Sequence, residues 1–222
     1  MELILGIDDA GRGPIIGPMV LAGVLIEKKD EPELKQWDAK DSKQLTPEKR
    51  TEIAEKIKSK FKFHYEITSP EEIDFKIKSG INLNRIEAIK AANIINHLLK
   101  DIKEKVKVVI DCPSTNREAW KNQVKAYIKN PEIIDFFVEH KADINHLSCS
   151  AASIIAKTTR DAEIEKLKKE INIDFGSGYP SDPLTKKFLE EHLDEFENKG
   201  IIRKTWETYA NAKAANQQKK LF

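Results

Sequence analysis

Three short apolar runs, each leading into a carboxylate, constrain this chain more than any other feature of its sequence. Residues 3–7 lead into Asp8-Asp9, residues 106–110 into Asp111, and residues 133–138 into a segment that reaches Asp143. Runs this short, bounded by acidic residues and glycine, read as strands of a covered sheet rather than as buried helices. A further run, residues 18–26, follows the first after a Gly/Pro-rich turn, and the two predict an antiparallel hairpin.

Helices account for most of the remainder. Thr46-Pro47-Glu48 supplies an N-cap residue with proline at the first helical position, and Ile53, Ile57 and Phe61 recur after it at helical spacing. Ser69-Pro70-Glu71-Glu72 repeats the device, with Glu at the capping-box position. Residues 83–99 predict a long amphipathic helix through Ile86, Ile89, Ile94, Ile95 and Leu98, and residues 150–169 predict another. From residue 184 to 221 the chain reads as mostly helical and Lys-rich, with no internal repeat or low-complexity linker anywhere. The order implies an α/β protein: a central mixed sheet flanked by helices in residues 1–183, with a helical C-terminal extension, 184–222, packed on it.

With 222 residues, 40% of them hydrophobic, the chain can bury a sizeable core. Lys+Arg 38 against Asp+Glu 37 leaves a formal net charge of +1, so any polyanion must be held by a local basic surface and not by a strongly cationic body. The first residues lack the basic region and apolar stretch of a signal peptide, and no window approaches the ~20 apolar residues that span a bilayer, so a cytoplasmic protein is expected. Cys112 and Cys149 are too few for a disulfide framework, lack metal-ligand spacing, and read as small buried hydrophobes.

Gly11-x-Gly13 after a strand invites a dinucleotide-binding reading. That motif needs a third glycine at the right offset and a helix opening in the turn, whereas here Gly17 falls one position late, Pro14 interrupts, and the next element is strand-like. The carboxylates are more informative. A single Asp at a strand end is ordinarily a solvated loop residue, but several placed alike repel one another and lose solvation unless a cation joins them. Hard oxygen donors without His or Cys select Mg²⁺ or Mn²⁺ over zinc. Two such ions about 4 Å apart could activate a water and stabilise the leaving oxygen in phosphodiester hydrolysis. His140, near Asp143, more simply packs, and the carboxylate set needs no imidazole.

Six segments now align with one family. Gly6-Ile7-Asp8-Asp9-Ala10-Gly11-Arg12-Gly13-Pro14, Asp41-Ser42-Lys43-Gln44-Leu45, Ile110-Asp111, His140-Lys141-Ala142-Asp143, Ser150-Ala151-Ala152-Ser153-Ile154-Ile155-Ala156-Lys157 and Gly176-Ser177-Gly178-Tyr179-Pro180-Ser181-Asp182-Pro183 stand in the order found in archaeal-type ribonuclease HII, which the chain resembles from about residue 3 to 206. The resemblance implies a ribonuclease H-like fold and an Mg²⁺- or Mn²⁺-dependent endonuclease. Such an enzyme hydrolyses the RNA strand of RNA/DNA hybrids and cuts 5′ of ribonucleotides embedded in duplex DNA, leaving 5′-phosphate and 3′-hydroxyl ends. It further implies that Asp8, Asp9, Asp111 and Asp143 are the catalytic, metal-binding carboxylates. Gly11, Arg12 and Gly13 would read the ribose 2′-hydroxyl, since glycine lets backbone approach a sugar closely and that hydroxyl separates RNA from DNA. Tyr179 resembles the tyrosine that stacks on the sugar of the next deoxynucleotide. Lys43, Lys141 and Lys157 are expected phosphate contacts, and Arg203 and Lys204 are either duplex-backbone contacts or part of a solvated helix face.

Two departures stand out. The family's opening motif carries Glu where this chain has Asp9, one methylene shorter, which opens the alternative of a weakly active or non-catalytic hybrid-binding protein. Ile144-Asn145-His146-Leu147-Ser148-Cys149 replaces a Tyr-Pro-Val-Val-like stretch and reads as a local packing change. The tail Gln217-Gln218-Lys219-Lys220-Leu221-Phe222 resembles a sliding-clamp-binding peptide, with Gln218, Leu221 and Phe222 as anchors, and a frayed tail is the competing reading. The expected partners are therefore hybrid or ribonucleotide-containing duplexes and a clamp, with no membrane, and the expected state is a monomer. An actin-like kinase, whose phosphate loop also follows a Gly-Ile-Asp strand, would need a second lobe for which the chain is too short.

Overall fold

The computed structural model describes residues 2–39 and 45–219, which fall into two compact units. The first draws on Met1–Ala10, Val20–Glu66 and Asn84–Thr159, the second on Gly11–Met19, Ile67–Leu83 and Arg160–Phe222. Lys43, Leu221 and Phe222 lie outside the described residues.

The first unit is built on a five-stranded mixed sheet. Its strands are β1 (Leu3–Ala10), β2 (Met19–Glu27), β3 (Lys62–Thr68), β4 (Val106–Asp111) and β5 (Ile134–Glu139), in the order β3-β2-β1-β4-β5. β1 and β2 form the expected antiparallel pair, with Asp8 opposite Ala22 and Asp9 opposite Leu21. β1 therefore runs three residues past its apolar stretch, because β2 offers ladder partners as far as Val20. β1, β4 and β5 are mutually parallel, so their carboxyl ends lie along one edge of the sheet, where open α/β sheets place their sites.

The described helices are distributed over the two units. They are α1 (Glu31–Gln36), α2 (Pro47–Lys60), α3 (Pro70–Lys78), α4 (Leu83–Leu98), α5 (Arg117–Lys125), α6 (Ala142–Asn145), α7 (Leu147–Ile171), α8 (Pro183–Phe196) and α9 (Glu207–Lys219). Thr46 and Ser69 cap α2 and α3 as their sequences require, accepting from Lys49 N at 3.3 Å and Glu72 N at 3.1 Å. α4 buries Ile86, Ile94, Ile95 and Leu98 of the stripe its spacing predicts and leaves Ile89 half-buried. β3 and α5 were not expected. β3 mixes aromatic and charged residues with only Thr68 fully buried, so it has no clean period-two signal, and α5 opens on an Asn116 cap instead of a proline device.

The opening of α7 explains a run of small residues. Ser148, Cys149, Ser150, Ala151, Ala152 and Ser153 are all buried, and a Cβ added to Gly6 of β1 would lie 2.1–2.3 Å from the backbone of Ser148 and Cys149. Strand and helix thus approach closer than any side chain at Gly6 allows. Cys149 Sγ donates to the Val109 carbonyl at 3.2 Å beside that approach. The second unit has its own core of Ile15, Ile16, Ile164, Phe175, Phe188 and Leu193, with α8 and α9 supplying the helical C-terminal part. No described helix is long and apolar enough to cross a membrane.

Candidate functional site

The first unit gathers the four aspartates near the carboxyl ends of its parallel strands. Asp8 lies in the last turn of β1 and is buried, Asp111 ends β4, and Asp143 is buried in α6, four residues beyond the end of β5. Asp9, the next residue of β1, is half-buried. Asp8 Oδ1 accepts from Asp9 N at 2.8 Å, Ser153 donates to the same carboxyl, and Asp111 Oδ1 accepts from Ala142 N at 3.2 Å, which ties the turn bearing Asp143 to the end of β4.

The electrostatics are those of a crowded anionic site. Burial raises the Asp8 pKa well above the usual carboxylate range, the charges on Asp9 and Asp111 raise it further, and the Ser153 hydrogen bond opposes them. Cys149, below the site, has its thiol pushed up by burial and by Asp8, Asp111 and Asp143, so it is an inert thiol and not a nucleophile. Among the described residues, no three His, Cys, Asp or Glu side chains are closed around one ion position, as mutual repulsion of bare carboxylates favours. The donor set itself, all hard carboxylate oxygen with like charges crowding a buried Asp8, fits a divalent cation. His140 Nδ1 meets the Cys112 carbonyl at 2.9 Å. Lys141 is exposed, with φ 59°, two residues before Asp143.

In the second unit the loop Gly11-Arg12-Gly13 is held from one side. Arg203 Nη2 donates to the Gly11 carbonyl at 2.6 Å, Arg203 Nη1 to the Arg12 carbonyl at 2.8 Å, and Trp206 Nε1 to the Gly13 carbonyl at 3.3 Å. Arg203 Nε and Nη2 also donate to the Gly17 carbonyl. Because a trans peptide sets each N–H opposite the preceding C=O, fixing these carbonyls turns the amides of Arg12 and Gly13 away from Arg203 and Trp206. Gly11 has φ +81°, and a Cβ on Gly13 would lie 3.6 Å from Tyr179 Cε1, so the loop faces the tyrosine. Tyr179 sits on a turn fixed by Asp182, which accepts from Ser177 N at 2.8 Å, Ser177 Oγ at 2.6 Å and Leu184 N at 2.9 Å.

Arg203 corrects one expectation: it is fully buried against the loop, and so stands neither on a solvated helix face nor exposed to a duplex backbone. Lys204 is engaged by its backbone N–H with Asp74 at 2.8 Å and by Nζ with Asn198. Sequence reasoning also missed Trp206, Ser153 and Arg160. A signal for Arg203 existed, since a charge directly after Ile201-Ile202, both buried, sits in an apolar frame. Lys157 is half-buried on α7, and Gln218 is exposed near the end of α9.

Comparison with known proteins is unambiguous. The family model described as ribonuclease HII matches residues 5–209. A curated ribonuclease HII of Methanococcus maripaludis is 46% identical over 226 residues, covering 100% of this chain and 91% of that protein. The solved ribonuclease H2 of Pyrococcus horikoshii superposes with a TM-score of 0.85 at 37% identity, covering 97% of this chain and 99% of that one. A ribonuclease HII of Archaeoglobus fulgidus, solved in complex with PCNA, gives 0.80 at 36% identity, covering 94% and 96%.

Proposed function

The chain belongs to the ribonuclease HII family, and from that footing we propose that it is a divalent-metal-dependent endonuclease that cuts on the 5′ side of ribonucleotides embedded in duplex DNA as well as within hybrids. Its membership makes it a ribonuclease H, a hydrolase acting on the RNA of RNA/DNA hybrids. The observation that carries the finer reading is the buried Asp8, crowded by Asp9 and Asp111 at the carboxyl ends of parallel strands.

In this reading Asp8, Asp9, Asp111 and Asp143 hold Mg²⁺ or Mn²⁺. A divalent cation there supplies Lewis-acid activation of the attacking water and offsets charge developing on the phosphodiester. Ser153 fixes the rotamer of Asp8, and the Ala142 amide fixes that of Asp111. The 2′-hydroxyl of an embedded ribonucleotide does not neighbour the phosphate on its own 5′ side, so it cannot be the nucleophile. Water attacks that phosphorus, the bond to the preceding 3′-oxygen breaks, and a 5′-phosphate and a 3′-hydroxyl remain. Gly11, Arg12 and Gly13 recognise the 2′-hydroxyl through backbone, Tyr179 stacks on the following sugar, and Lys43 and Lys141 meet phosphates. The enzyme acts as a monomer in the cytoplasm. Gln218, Leu221 and Phe222 dock on a sliding clamp, a reading supported by the PCNA complex of the Archaeoglobus fulgidus relative.

The non-catalytic alternative is not favoured, since Asp9 retains the charge of the residue it replaces. The decisive assay compares a duplex holding one ribonucleotide with an all-DNA duplex in Mg²⁺ and in Mn²⁺. Cleavage 5′ of the ribonucleotide in either metal supports the proposal, and binding without a cut in both refutes it. Removing the last six residues and measuring clamp affinity tests the tail separately.

A further inference from the structure

Arg160, on α7 in the second unit, has a costly environment that folding alone does not explain. It is 6% exposed, its pKa is lowered chiefly by burial, and its Nε is a buried donor with no acceptor among the described residues. Among the described residues no carboxylate is hydrogen-bonded to it, and the charge of Asp161 offsets the burial only in part. A buried guanidinium in this state is commonly matched or bettered in stability by an apolar side chain of similar volume. What Arg160 does touch is informative. Nη2 donates to the Ser177 carbonyl at 2.8 Å, the guanidinium lies 5.2 Å from the centre of the Tyr179 ring, and Cδ and Nε lie 2.5 Å from where a Cβ on Gly11 would stand. One side chain thus braces the turn before Tyr179, faces the ring itself, and forms the floor under Gly11.

We propose that Arg160 is a positioning residue that sets the Tyr179 ring against the Gly11-Arg12-Gly13 loop and so determines preference for a ribonucleotide followed by a deoxynucleotide. This rests on the reading of Tyr179 and the loop given above. The mechanism is geometric. An unbraced tyrosine on a glycine-rich turn can take several rotamers, and the cation over its face, with the fork anchored on Ser177, favours one of them. Only a substrate whose next sugar is deoxyribose uses the Tyr179 stack fully. Loss of the brace therefore weakens cleavage at a single embedded ribonucleotide more than cleavage inside a continuous RNA strand.

The test uses Arg160→Met, which keeps the stem under Gly11 without the charge, Arg160→Lys, which keeps the charge without the fork, and Tyr179→Ala. Each variant is assayed for kcat/KM on a duplex with one ribonucleotide and on a full hybrid, with thermal unfolding in parallel. Arg160→Met is expected to unfold at or above the wild-type temperature while losing about tenfold on the single-ribonucleotide duplex and much less on the hybrid, a scale ordinary for lost positioning. Arg160→Lys should fall between, and adding Arg160→Met to Tyr179→Ala should cost nothing more. An equal loss on both substrates, or none, overturns the role of Arg160 while Tyr179→Ala remains selective. If Tyr179→Ala itself shows no selective loss, the reading of the tyrosine fails and the brace with it. Should Arg160→Met not fold, the substrate ratio of Arg160→Lys decides: a ratio shifted toward the hybrid supports the role, and an unshifted one overturns it.

Discussion

Gly11 and Gly13, two residues apart, should respond to the same methyl group in opposite ways. At Gly11 the backbone has φ +81°, and an added Cβ would stand 2.5 Å from the Arg160 side chain and 2.7 Å from the Pro18 carbonyl. The left-handed conformation costs an alanine roughly 1–2 kcal/mol, and forcing the neighbours apart adds roughly 1–3 kcal/mol. Gly11→Ala should therefore lose about 3 kcal/mol, lowering the melting temperature by about 6–12 °C at about 2–4 °C per kcal/mol for a chain of this length. At Gly13 the nearest atom to the new Cβ is Tyr179 Cε1 at 3.6 Å, an ordinary contact. Gly13→Ala should melt within about 2 °C of the wild type, a folding cost below about 1 kcal/mol. Its methyl occupies the side of the loop that faces Tyr179, where the ribose is proposed to sit, so kcat/KM on a single-ribonucleotide duplex should fall about tenfold or more. Calorimetric melting and a gel-based cleavage assay measure the two effects independently. A Gly13→Ala protein that cleaves at wild-type efficiency, or melts as low as Gly11→Ala, would refute the reasoning.

Other consequences follow from the same geometry. Asp8→Asn removes a buried charge crowded by Asp9 and Asp111 and keeps an acceptor for Asp9 N, so in chelator-treated protein it should raise the melting temperature at pH 7 while abolishing cleavage; each unit by which a buried carboxyl exceeds its normal pKa weakens folding by about 1.4 kcal/mol there. Asp9→Glu should lower the metal concentration for half-maximal cleavage about tenfold, and an unchanged metal titration would show that the shorter side chain already suffices. Arg203→Met strands the carbonyls of Gly11, Arg12 and Gly17 and should cost roughly 4 kcal/mol in a denaturant titration, at about 1–3 kcal/mol for each unsatisfied group, with little recovery in Arg203→Lys. Asp182 caps α8 with a pKa lowered to about 2 by its Ser177 bonds, so its stabilisation is complete above about pH 4 and lost as pH falls through about 2. Asp182→Ala should therefore melt lower at pH 7, by the scale of a lost cap of about 1 kcal/mol, and converge with the wild type in acid.

Much of the first unit was legible because local and tertiary demands coincide there. The runs at residues 3–7 and 106–110 are strands both by composition and by burial, the run at 133–138 matches β5 by composition though none of its residues is fully buried, and the capped proline at Pro47 states where a helix begins, as Pro70 does in the second unit. β3 was illegible for a physical reason: a strand with half-exposed aromatic and charged residues on both faces has no periodic signature, and only pairing in the sheet reveals it. The carboxylates were legible as a set since hard anions at parallel strand ends share a chemical logic. Arg203 and Arg160 were not, because a charged side chain on a helix or loop reads as solvated until the fold buries it. What distinguishes them, the carbonyls of Gly11 and Ser177 that receive them, lies at sequence separations of 192 and 17 residues.

The residues that break local rules are the ones to which the proposed chemistry gives roles. Asp8 is a buried carboxylate crowded by the charges of Asp9 and Asp111, Gly11 takes a conformation that gives up backbone entropy, and Arg160 keeps a buried donor without an acceptor among the described residues. Asp8 and Arg160 each lower stability by an amount that packing elsewhere must offset and would be relieved by a change that the fold alone would welcome, whereas the fold itself requires glycine at position 11. The same tension separates Asp8 from Asp9. Asp8 has Ser153, the Asp9 amide and burial to hold its carboxylate in one rotamer before any cation arrives, whereas Asp9 is half-buried and one methylene shorter than the family's residue. A cation that satisfies Asp8 offsets the charge repulsion that Asp9 contributes to it, so Asp9 acts on the site through its charge even where its reach is limited. Metal affinity in this chain should thus depend on the charge at position 9 more steeply than on its length.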